Sequence, residues 1–288
     1  MLTVLAPAKL NLTLEVLAKR PDGLHEIRSV IQTINLCDSL HFRLSQDIRF
    51  KFNAPDLIPE ESLVSKAAGL LHEATGCVKG VTIEVSKGIP LLSGLGGDSS
   101  DAAATLHGLN KLWGLGLSPR ELLELALKLG SDVAFFLYGG TALVEGRGEI
   151  VTLLPPLPQM WVVVMIPPLA RMPGKTERLY ASLRASHYTD GQITDRLVAL
   201  LTGGGEVTPS SLFNVFEDVA PDNFTGLREY WQQFLKAGAQ QVHLAGSGPA
   251  LFTLIKDKAQ AEELYIRLRQ QRLESYLTDT LAAIEQKE

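Results

Sequence analysis

The chain contains few of the residues that build metal clusters or disulfide frameworks. Its 288 residues include two cysteines, Cys37 and Cys77, which are too few and too far apart in sequence for either. Two buried thiols in a reducing cytoplasm are the simpler interpretation. The histidines outside the motifs described below also lack the spacing of metal ligands; they are His41, His72, His107, His187 and His243.

Long apolar runs are absent as well. No window of the sequence reaches the ~18 uncharged apolar residues that a membrane-spanning helix needs, and the best candidate, residues 161–168, has only the length of a strand. Lys9 interrupts the first apolar run, and no charged leader is followed by a long apolar stretch. We therefore expect no membrane span and no signal peptide, and a cytoplasmic location.

An excess of positive charge is the third absence. The 27 lysines and arginines are outnumbered by 32 aspartates and glutamates, which gives a net charge of −5. A nucleic-acid-binding surface is normally basic, so we expect no nucleic-acid partner, although a local basic pocket for a phosphorylated ligand is compatible with this balance. The hydrophobic fraction of 45% is ordinary for a globular protein.

The patterns of apolar residues mix strands and helices in both halves of the chain. Alternation predicts strands, with a turn at Cys37-Asp38 between the second and third: residues 10–17, 29–36, 39–44, 80–86 and 161–166. Helical spacing predicts helices over residues 63–74, 102–113, 176–184 and 259–270, the first of them with Gly76 as its C-cap. Ser118-Pro-Arg-Glu121 is a capping box that starts another helix. This mixture predicts an α+β fold, and the proline-rich segment Pro155-Pro-Leu-Pro158 predicts domains at residues 1–156 and 157–288.

A glycine-rich loop, residues 90–101, carries the clearest chemical signal. Its glycines let the backbone adopt positive φ and approach a ligand without a Cβ in the way. The helix that follows begins with capping side chains, and its unpaired N–H groups and dipole favour an anion such as phosphate. The alternative is a tight turn that binds nothing. The candidate ATP- and phosphate-binding residues in this loop are Pro90, Leu91, Leu92, Ser93, Gly94, Leu95, Gly96, Gly97, Asp98, Ser99 and Ser100.

The loop belongs to neither of the two commonest phosphate-binding motifs. It contains no Gly-Lys-Ser/Thr sequence of a Walker A motif, and it lacks the third glycine of the dinucleotide fingerprint. It resembles instead the phosphate loop of the GHMP kinases, the superfamily of galactokinase, homoserine kinase, mevalonate kinase and phosphomevalonate kinase. Pro7-Ala-Lys-Leu-Asn-Leu12 and Leu244-Ala-Gly-Ser-Gly-Pro249 resemble the first and last motifs of the same superfamily, in the expected order.

Three more segments are similar to one branch of that superfamily, which phosphorylates a sugar alcohol linked to cytidine diphosphate. They are Lys19-Arg-Pro-Asp-Gly-Leu-His25, Asn110-Lys-Leu-Trp-Gly-Leu115 and Gly130-Ser-Asp-Val-Ala-Phe-Phe136. The resemblance covers essentially the whole chain. It implies a ribosomal-S5-like N-terminal half, a ferredoxin-like C-terminal half, ATP and Mg²⁺ as cofactors, a role in isoprenoid biosynthesis, and that small-molecule substrate. A homodimer is left open.

Lys9 and Asp132 are the candidate catalytic residues. A lysine within an apolar run is costly to bury without a partner, and the alternative is a side chain that reaches solvent at a strand end. Asp132 lies between two apolar stretches, where the alternative role is a helix cap. The resemblance implies that Asp132 is the general base for the substrate hydroxyl and that Lys9 keeps it ionised and orients the hydroxyl. One base, one cation and a phosphate-binding loop are sufficient for phosphoryl transfer, because its catalysis is mostly positioning and electrostatic stabilisation.

The resemblance also implies binding residues. It puts His25 and Tyr180 around the cytosine, and Lys87 and Ser62 at the adenosine. Ser100 is the candidate hydroxyl near Mg²⁺. The remaining substrate-binding candidates are Asn11, Thr176, Gly246, Ser247 and Gly248.

Three residues depart from the family pattern. Leu24 stands where the family usually has a tyrosine that stacks on cytosine, a contact worth ~1–3 kcal/mol; Asp98 replaces a glycine and Ala134 a proline. Two alternatives therefore stay open. A GHMP-type kinase of another small alcohol is favoured by Leu24, and an inactive nucleotide-binding regulator is disfavoured because Lys9 and Asp132 are both present.

Overall fold

The computed structural model describes residues 1–55, 57–170 and 172–282. These residues form two compact units, each assembled from several chain segments. Unit 1 contains Met1–Ala8, Gly96–Gly139 and the described part of Leu36–Pro90. Unit 2 contains Lys9–Asn35, Leu91–Leu95 and the described part of Gly140–Glu288. The predicted domains, residues 1–156 and 157–288, are continuous stretches of chain, whereas each of these units combines several segments. The predicted division therefore stays a prediction.

The elements are numbered in chain order. The strands are β1 (Leu2–Asn11), β2 (Thr13–Lys19), β3 (His25–Ser45), β4 (Ile48–Phe52), β5 (Gly80–Ser86), β6 (Thr141–Gly146), β7 (Ile150–Leu153), β8 (Trp161–Ile166), β9 (Phe213–Asn214), β10 (His243–Leu244), β11 (Leu251–Ile255) and β12 (Glu274–Asp279). The helices are α1 (Leu63–Thr75), α2 (Gly97–Trp113), α3 (Pro119–Leu129), α4 (Ser131–Phe136), α5 (Lys175–Ser182), α6 (Gln192–Thr202), α7 (Ala220–Asn223), α8 (Leu227–Ala237) and α9 (Lys258–Gln270).

In unit 1, helices pack over strands that bury one apolar face. β5 pairs antiparallel with residues 39–45 of β3 and parallel with β4. Leu40, Phe42 and Ile83 are fully buried because alternate residues of these strands face the same side. α2 is rich in small residues, and Gly108 lies directly over the Phe42 ring: a Cβ built on Gly108 would be 2.6 Å from Phe42 Cζ.

The ends of two helices in unit 1 follow local sequence signals. α1 ends at Gly76, which has the left-handed φ of 63° that ends many helices. α3 begins with the predicted capping box, in which the Ser118 hydroxyl accepts from the Glu121 N–H and the Glu121 carboxylate accepts from the Ser118 N–H. Both predictions are confirmed. They could be made from the sequence because a cap depends only on residues three or four positions apart.

In unit 2, residues 27–32 of β3 pair antiparallel with β6, and β2 pairs antiparallel with the start of β3 and parallel with β9. A second, antiparallel sheet has the strand order β10-β11-β8-β12. Its central strand β8 buries the continuous apolar run Val162–Met165, as expected for a strand covered on both faces. Phe216 and Phe234 pack into the same apolar core.

The predicted turn at Cys37-Asp38 is wrong. β3 runs without a break through both residues, and the Asp38 side chain is fully buried. Its Oδ1 accepts hydrogen bonds from the Gly88 N–H at 2.6 Å and the Ile89 N–H at 2.8 Å. Aspartate is common in turns, which is why the sequence predicted one here. The hydrogen-bond donors to Asp38 instead lie some fifty positions away along the chain.

Across the described ranges, no helix combines the length and the apolar character that crossing a bilayer requires.

The close contact of Gly108 with Phe42 predicts a steric effect on stability. We expect Gly108→Ala to lower the free energy of unfolding by ~1–3 kcal/mol, because the added methyl group overlaps a buried ring that cannot move aside. Gly69→Ala is the matched control: Gly69 also lies inside a helix, α1, but a Cβ there meets nothing within 4 Å. That variant should be stabilised by roughly 0.5–1 kcal/mol. Urea unfolding measures both, and equal shifts would contradict the packing described.

Candidate active site

The predicted site residues are divided between the two units, and each group is described within its own unit. Unit 1 contains Ser62, Lys87, Pro90, Gly96, Gly97, Asp98, Ser99, Ser100 and Asp132. Unit 2 contains Lys9, Asn11, His25, Leu91, Leu92, Ser93, Gly94, Leu95, Thr176, Tyr180, Gly246, Ser247 and Gly248.

In unit 1, the end of the phosphate loop forms the start of α2. Gly96 is the N-cap residue with a left-handed φ of 76°, and no side chain caps the helix. Because the cap residue is a glycine, it offers no side-chain acceptor to the N–H groups of the first turn, an arrangement that favours an anion at a helix start. A residue with a Cβ would be strained at this φ, which explains the glycine.

Ser100 lies in the first turn of the same helix. It is 2% exposed, and its hydroxyl oxygen has no hydrogen-bond partner among the described residues; the same is true of Asp101 Oδ1. Buried polar atoms without partners are rare in native proteins and call for an explanation such as a bound ion. No group of three or more histidine, cysteine, aspartate or glutamate side chains in the described ranges forms a metal site.

A buried ion-pair cluster lies beneath the loop. Lys87 Nζ is 2.6 Å from Asp38 Oδ2 and 2.8 Å from Asp101 Oδ2, and the three side chains are at most 5% exposed. Burial alone would lower the pKa of Lys87, but the two carboxylates more than offset it and raise that pKa. Burial raises the pKa of Asp101, the Lys87 ammonium opposes that rise, and Asp38 adds to it. Asp98 is exposed, with its Oδ1 3.5 Å from the same ammonium.

Gly97 lies directly on this cluster. A Cβ built on Gly97 would be 3.2 Å from Ile89 Cγ2, 3.3 Å from Lys87 Nζ and 3.4 Å from Asp38 Oδ2. The cluster therefore supports the loop from its buried side. The Lys87 ammonium is already paired with two carboxylates. Its predicted contact with adenosine stays a prediction. Sequence reasoning missed Asp38 and Asp101; the one available signal was that Asp101 ends the glycine loop.

A cavity of about 300 Å³ opens beside the start of α2 in unit 1. Its lining combines five apolar residues, three acidic residues and one serine: Phe52, Leu57, Ile58, Leu63, Val64, Glu61, Asp98, Asp101 and Ser62. Ser62 also caps α1, since its hydroxyl accepts from the Ser65 N–H at 3.1 Å. The predicted adenosine contact of Ser62 is untested, but the residue does line a cavity.

Asp132 lies in the first turn of α4, half-buried. The residues that follow, Val133–Phe136, are buried and fix the position of this turn.

In unit 2, Lys9 begins a chain of buried hydrogen bonds. The side chains of Lys9 and Asn11 are both 5% exposed, and Lys9 Nζ donates to Asn11 Oδ1 at 2.7 Å. Asn11 Nδ2 donates to Ser29 Oγ at 2.9 Å, and the Ser29 hydroxyl donates to the Thr13 carbonyl. Lys9 therefore does not reach solvent at a strand end, and the amide of Asn11 has a fixed orientation.

Two glycine segments approach each other closely within unit 2. A Cβ built on Gly94 would be only 2.1 Å from the Ala245 carbonyl oxygen, and the Ala250 N–H donates to the Ser93 carbonyl at 3.0 Å. A Cβ on Gly246 would be 3.1 Å from Lys9 Nζ. Three parts of unit 2 thus lie together: residues 91–95, residues 245–248 and Lys9. The order of the three motifs along the sequence does not show this proximity.

The start of α5 is attached to the same segments. The Thr176 and Ser247 hydroxyl oxygens are 2.8 Å apart. Lys175 Nζ donates to the Leu92 carbonyl at 2.8 Å and also to the Gly248 carbonyl. Sequence reasoning missed Lys175, although the sequence Gly174-Lys175-Thr176 at a helix start was a signal for a phosphate-binding lysine.

His25 and Tyr180 are in contact, also within unit 2. Their rings are stacked with centroids 4.7 Å apart, and Tyr188 meets His25 edge-on at 6.2 Å. Burial, and then the charge of Lys19, lower the pKa of His25, so its ring is neutral at pH 7. Because rings in contact lie ~4.5–7 Å apart, no base fits between these two; a base would stack on an outer face or replace the imidazole. No pattern in the sequence pointed to Tyr188 as a neighbour of His25.

Comparisons with known proteins match both halves of the chain. Residues 62–140 match the GHMP kinases N terminal domain, and residues 199–273 match the GHMP kinases C terminal domain. These matches confirm the predicted α+β fold with two GHMP kinase domains.

Relatives named 4-diphosphocytidyl-2-C-methyl-D-erythritol kinase are similar to this chain over nearly its whole length. The protein of Dehalococcoides mccartyi (strain ATCC BAA-2266 / KCTC 15142 / 195) is 51% identical over 285 residues, which cover 99% of this chain and 100% of the relative. The protein of Geobacillus thermodenitrificans (strain NG80-2) is 40% identical over 272 residues, which cover 93% of each chain.

Solved structures also have a similar fold. A crystal structure of 4-(cytidine 5'-diphospho)-2C-methyl-D-erythritol kinase superimposes with a TM-score of 0.82 at 33% identity, over 97% of this chain and 99% of that one. Homoserine kinase from Cytophaga hutchinsonii superimposes with a TM-score of 0.74 at 20% identity, over 98% and 94%. At that identity the likeness concerns the fold alone.

The buried cluster beneath Gly97 predicts a large loss of stability on removal of its cation. We expect Lys87→Met to lower the free energy of unfolding by ~3–5 kcal/mol at pH 7, because two buried carboxylates lose their counter-ion. The loss should shrink towards pH 4, where the carboxyl groups take up protons and lose their charge. Lys51→Met is the matched control, since the Lys51 pair with Glu84 is exposed to solvent, and we expect little change there. Similar small losses in urea unfolding of both variants would rule out the supporting role of the cluster.

Proposed function

This chain belongs to the 4-diphosphocytidyl-2-C-methyl-D-erythritol kinases of the GHMP kinase family, and we propose that it transfers the γ-phosphate of ATP to the 2-hydroxyl of 4-diphosphocytidyl-2-C-methyl-D-erythritol, a step of isoprenoid biosynthesis. The observation that carries the proposal is 51% identity to a relative of that name over 99% of the chain. Neither a kinase of another small alcohol nor an inactive regulator has comparable support. We further propose that the enzyme works in the cytoplasm; a homodimer is a hypothesis for sedimentation analysis.

ATP is held by the phosphate loop in this proposal. Support comes from the uncapped start of α2, whose N–H groups suit phosphate oxygens, and from the glycine at position 96. Residues 90–100 supply the loop, and the cavity of about 300 Å³ lined by Ser62 supplies room for the adenosine. Lys87 contributes through the support that its buried cluster gives to Gly97.

Mg²⁺ fits the residues at the start of α2. The buried Ser100 hydroxyl and Asp101 Oδ1 have no hydrogen-bond partner in the described part of the chain, and Mg²⁺ prefers oxygen ligands of these types. When bound, the ion would neutralise charge on the β- and γ-phosphate oxygens. We propose Ser100 as the protein ligand, with Asp101 beside it.

Asp132 and Lys9 carry the chemistry in this proposal. The acceptor 2-hydroxyl oxygen forms a bond to the γ-phosphorus, the bond between that phosphorus and the β–γ bridging oxygen breaks, and the hydroxyl proton passes to the Asp132 carboxylate. Lys9 orients the hydroxyl and stabilises the charge that develops. Its ammonium is suited to this task because Asn11 and the buried hydrogen bonds behind it fix its position.

The acceptor lies against residues of unit 2 in this proposal. Asn11, Thr176 and the segment Gly246–Gly248 contact its sugar alcohol and diphosphate. His25 and Tyr180 contact the cytosine. The neutral imidazole supports this assignment, since one ring nitrogen can accept from the exocyclic amino group of cytosine while the other donates.

A substrate panel tests the proposed function. Purified protein with MgATP should phosphorylate the cytidine-linked acceptor and leave homoserine and mevalonate untouched. Tyr180→Ala should raise the Michaelis constant for the acceptor by about 5- to 150-fold, the equivalent of ~1–3 kcal/mol of lost stacking, and leave that for ATP nearly unchanged. Turnover of another alcohol in preference, or of none, would refute the assignment. An unchanged acceptor constant would remove only Tyr180 from the pocket.

The role of Asp132 as base predicts a selective loss of turnover. We expect Asp132→Asn to lower kcat by ~10²-fold or more while ATP binding and thermal stability stay near those of the parent, because the amide cannot accept the proton. Asp47→Asn, at an exposed aspartate of the same unit, is the control and should retain full activity. Near-normal kcat in Asp132→Asn would exclude Asp132 as the base.

A further inference from the structure

Lys175 is a cation that the proposed mechanism does not use. It is the first residue of α5, its side chain is partly buried, and its ammonium donates to the Leu92 and Gly248 carbonyls. Those carbonyls belong to the two glycine segments that approach each other in unit 2. Leu92 has a positive φ of 55°, which a non-glycine residue rarely adopts, so the hydrogen bond to its carbonyl helps to hold an unfavourable backbone conformation.

The charge of Lys175 is poorly compensated. Both of its described hydrogen-bond partners are neutral carbonyls, which occupy two of the three N–H donors of an ammonium. Burial, and then the positive charge of Lys9, lower the pKa of Lys175 to about 7.

The elements around Lys175 offer little negative charge. Lys9 comes from β1, residues 91–95 and 245–248 offer backbone and the hydroxyls of Ser93 and Ser247, and its own helix continues with exposed Glu177 and Arg178. Among the described residues, Lys9 is the charged side chain whose field acts on it.

Two ammonium groups therefore converge on one glycine segment. A Cβ built on Gly246 would be 3.1 Å from Lys9 Nζ, while Lys175 binds the carbonyl of Gly248, two residues further on. Like charges in a partly buried site repel each other, and an anion between or beside them removes that penalty. The anion that the proposed function brings to these segments is a phosphate group.

We propose that Lys175 is a second cationic substrate-binding residue, which anchors the Leu92 and Gly248 carbonyls and donates its remaining N–H to a phosphate group next to Lys9. The inference rests on the proposed function for the identity of that phosphate. The group comes either from the triphosphate of ATP or from the diphosphate of the acceptor, and separate titrations distinguish the two sources.

Binding of a phosphate group then has a proton signature. With a pKa of about 7, most Lys175 side chains of the free protein are neutral at pH 8. A bound phosphate favours the ammonium form and raises the pKa back towards its usual value. Binding at pH 8 should therefore take up close to one proton from the buffer.

The experiment is isothermal titration calorimetry at pH 8 in two buffers of different ionisation enthalpy. A non-hydrolysable ATP analogue with Mg²⁺ and the cytidine-linked acceptor are titrated separately into the parent protein, Lys175→Met and Lys175→Arg. We expect proton uptake with one of the two ligands. Lys175→Met should lose that uptake and bind that ligand on the order of 10- to 100-fold more weakly. Lys175→Arg should keep much of the affinity without the uptake, because a guanidinium stays charged.

Lys236→Met, at an exposed lysine near the end of α8 in the same unit, is the matched control. The inference is overturned if Lys175→Met binds both ligands as tightly as the parent, or if the parent takes up no proton with either. If Lys175→Met fails to fold, the parent and Lys175→Arg still decide. Turnover of the acceptor by the parent is measured in parallel: its absence refutes the proposed function, whereas normal turnover with no effect at Lys175 refutes this inference alone.

Discussion

The part of the phosphate loop that lies in unit 1, Gly96–Ser100, depends on the buried ion pairs of Lys87 with Asp38 and Asp101. Asp38 comes from β3, Lys87 from the segment after β5, and Asp101 is the fifth residue of α2. One ammonium therefore holds together the three pieces of chain beneath Gly97. Each charge would be costly to bury alone. The cluster therefore forms only when all three segments are in place, which makes the shape of the loop a property of the whole unit.

In unit 2, a partly buried lysine is held by backbone carbonyls rather than by carboxylates. Residues 91–95 and 245–248 pack so closely that Gly94 has no room for a side chain. The described hydrogen-bond acceptors of the Lys175 ammonium there are two neutral carbonyls, those of Leu92 and Gly248. An acceptor set without negative charge holds a cation in position but leaves its field available to an anionic substrate. This difference separates Lys87, which supports the fold, from Lys175, which is suited to binding an anion.

Much of the fold and of the candidate site could be predicted where the signals are local. The capping box at Ser118, the C-cap at Gly76 and the glycine loop are each read from residues a few positions apart, and the first two are confirmed. Interactions between distant segments could not be predicted. Asp38 resembled a turn residue because its partners, Lys87 and the N–H groups after it, lie far along the chain. Tyr188 was missed for the same reason, since its contact with His25 is set by tertiary packing, whereas Lys175 had a local signal in the sequence Gly174-Lys175-Thr176.

The burial of the Lys87 cluster has a consequence for ionic strength. Dissolved salt screens exposed charges over a Debye length of about 8 Å at physiological concentration, but it weakens buried pairs much less. Exposed pairs such as Lys51 with Glu84 will fade in concentrated salt, whereas the ammonium beneath Gly97 will keep its two partners. Added salt therefore acts on the attraction between the loop and an incoming polyanion and leaves the scaffold of the loop unaltered, so the two contributions can be separated by the concentration of an inert electrolyte.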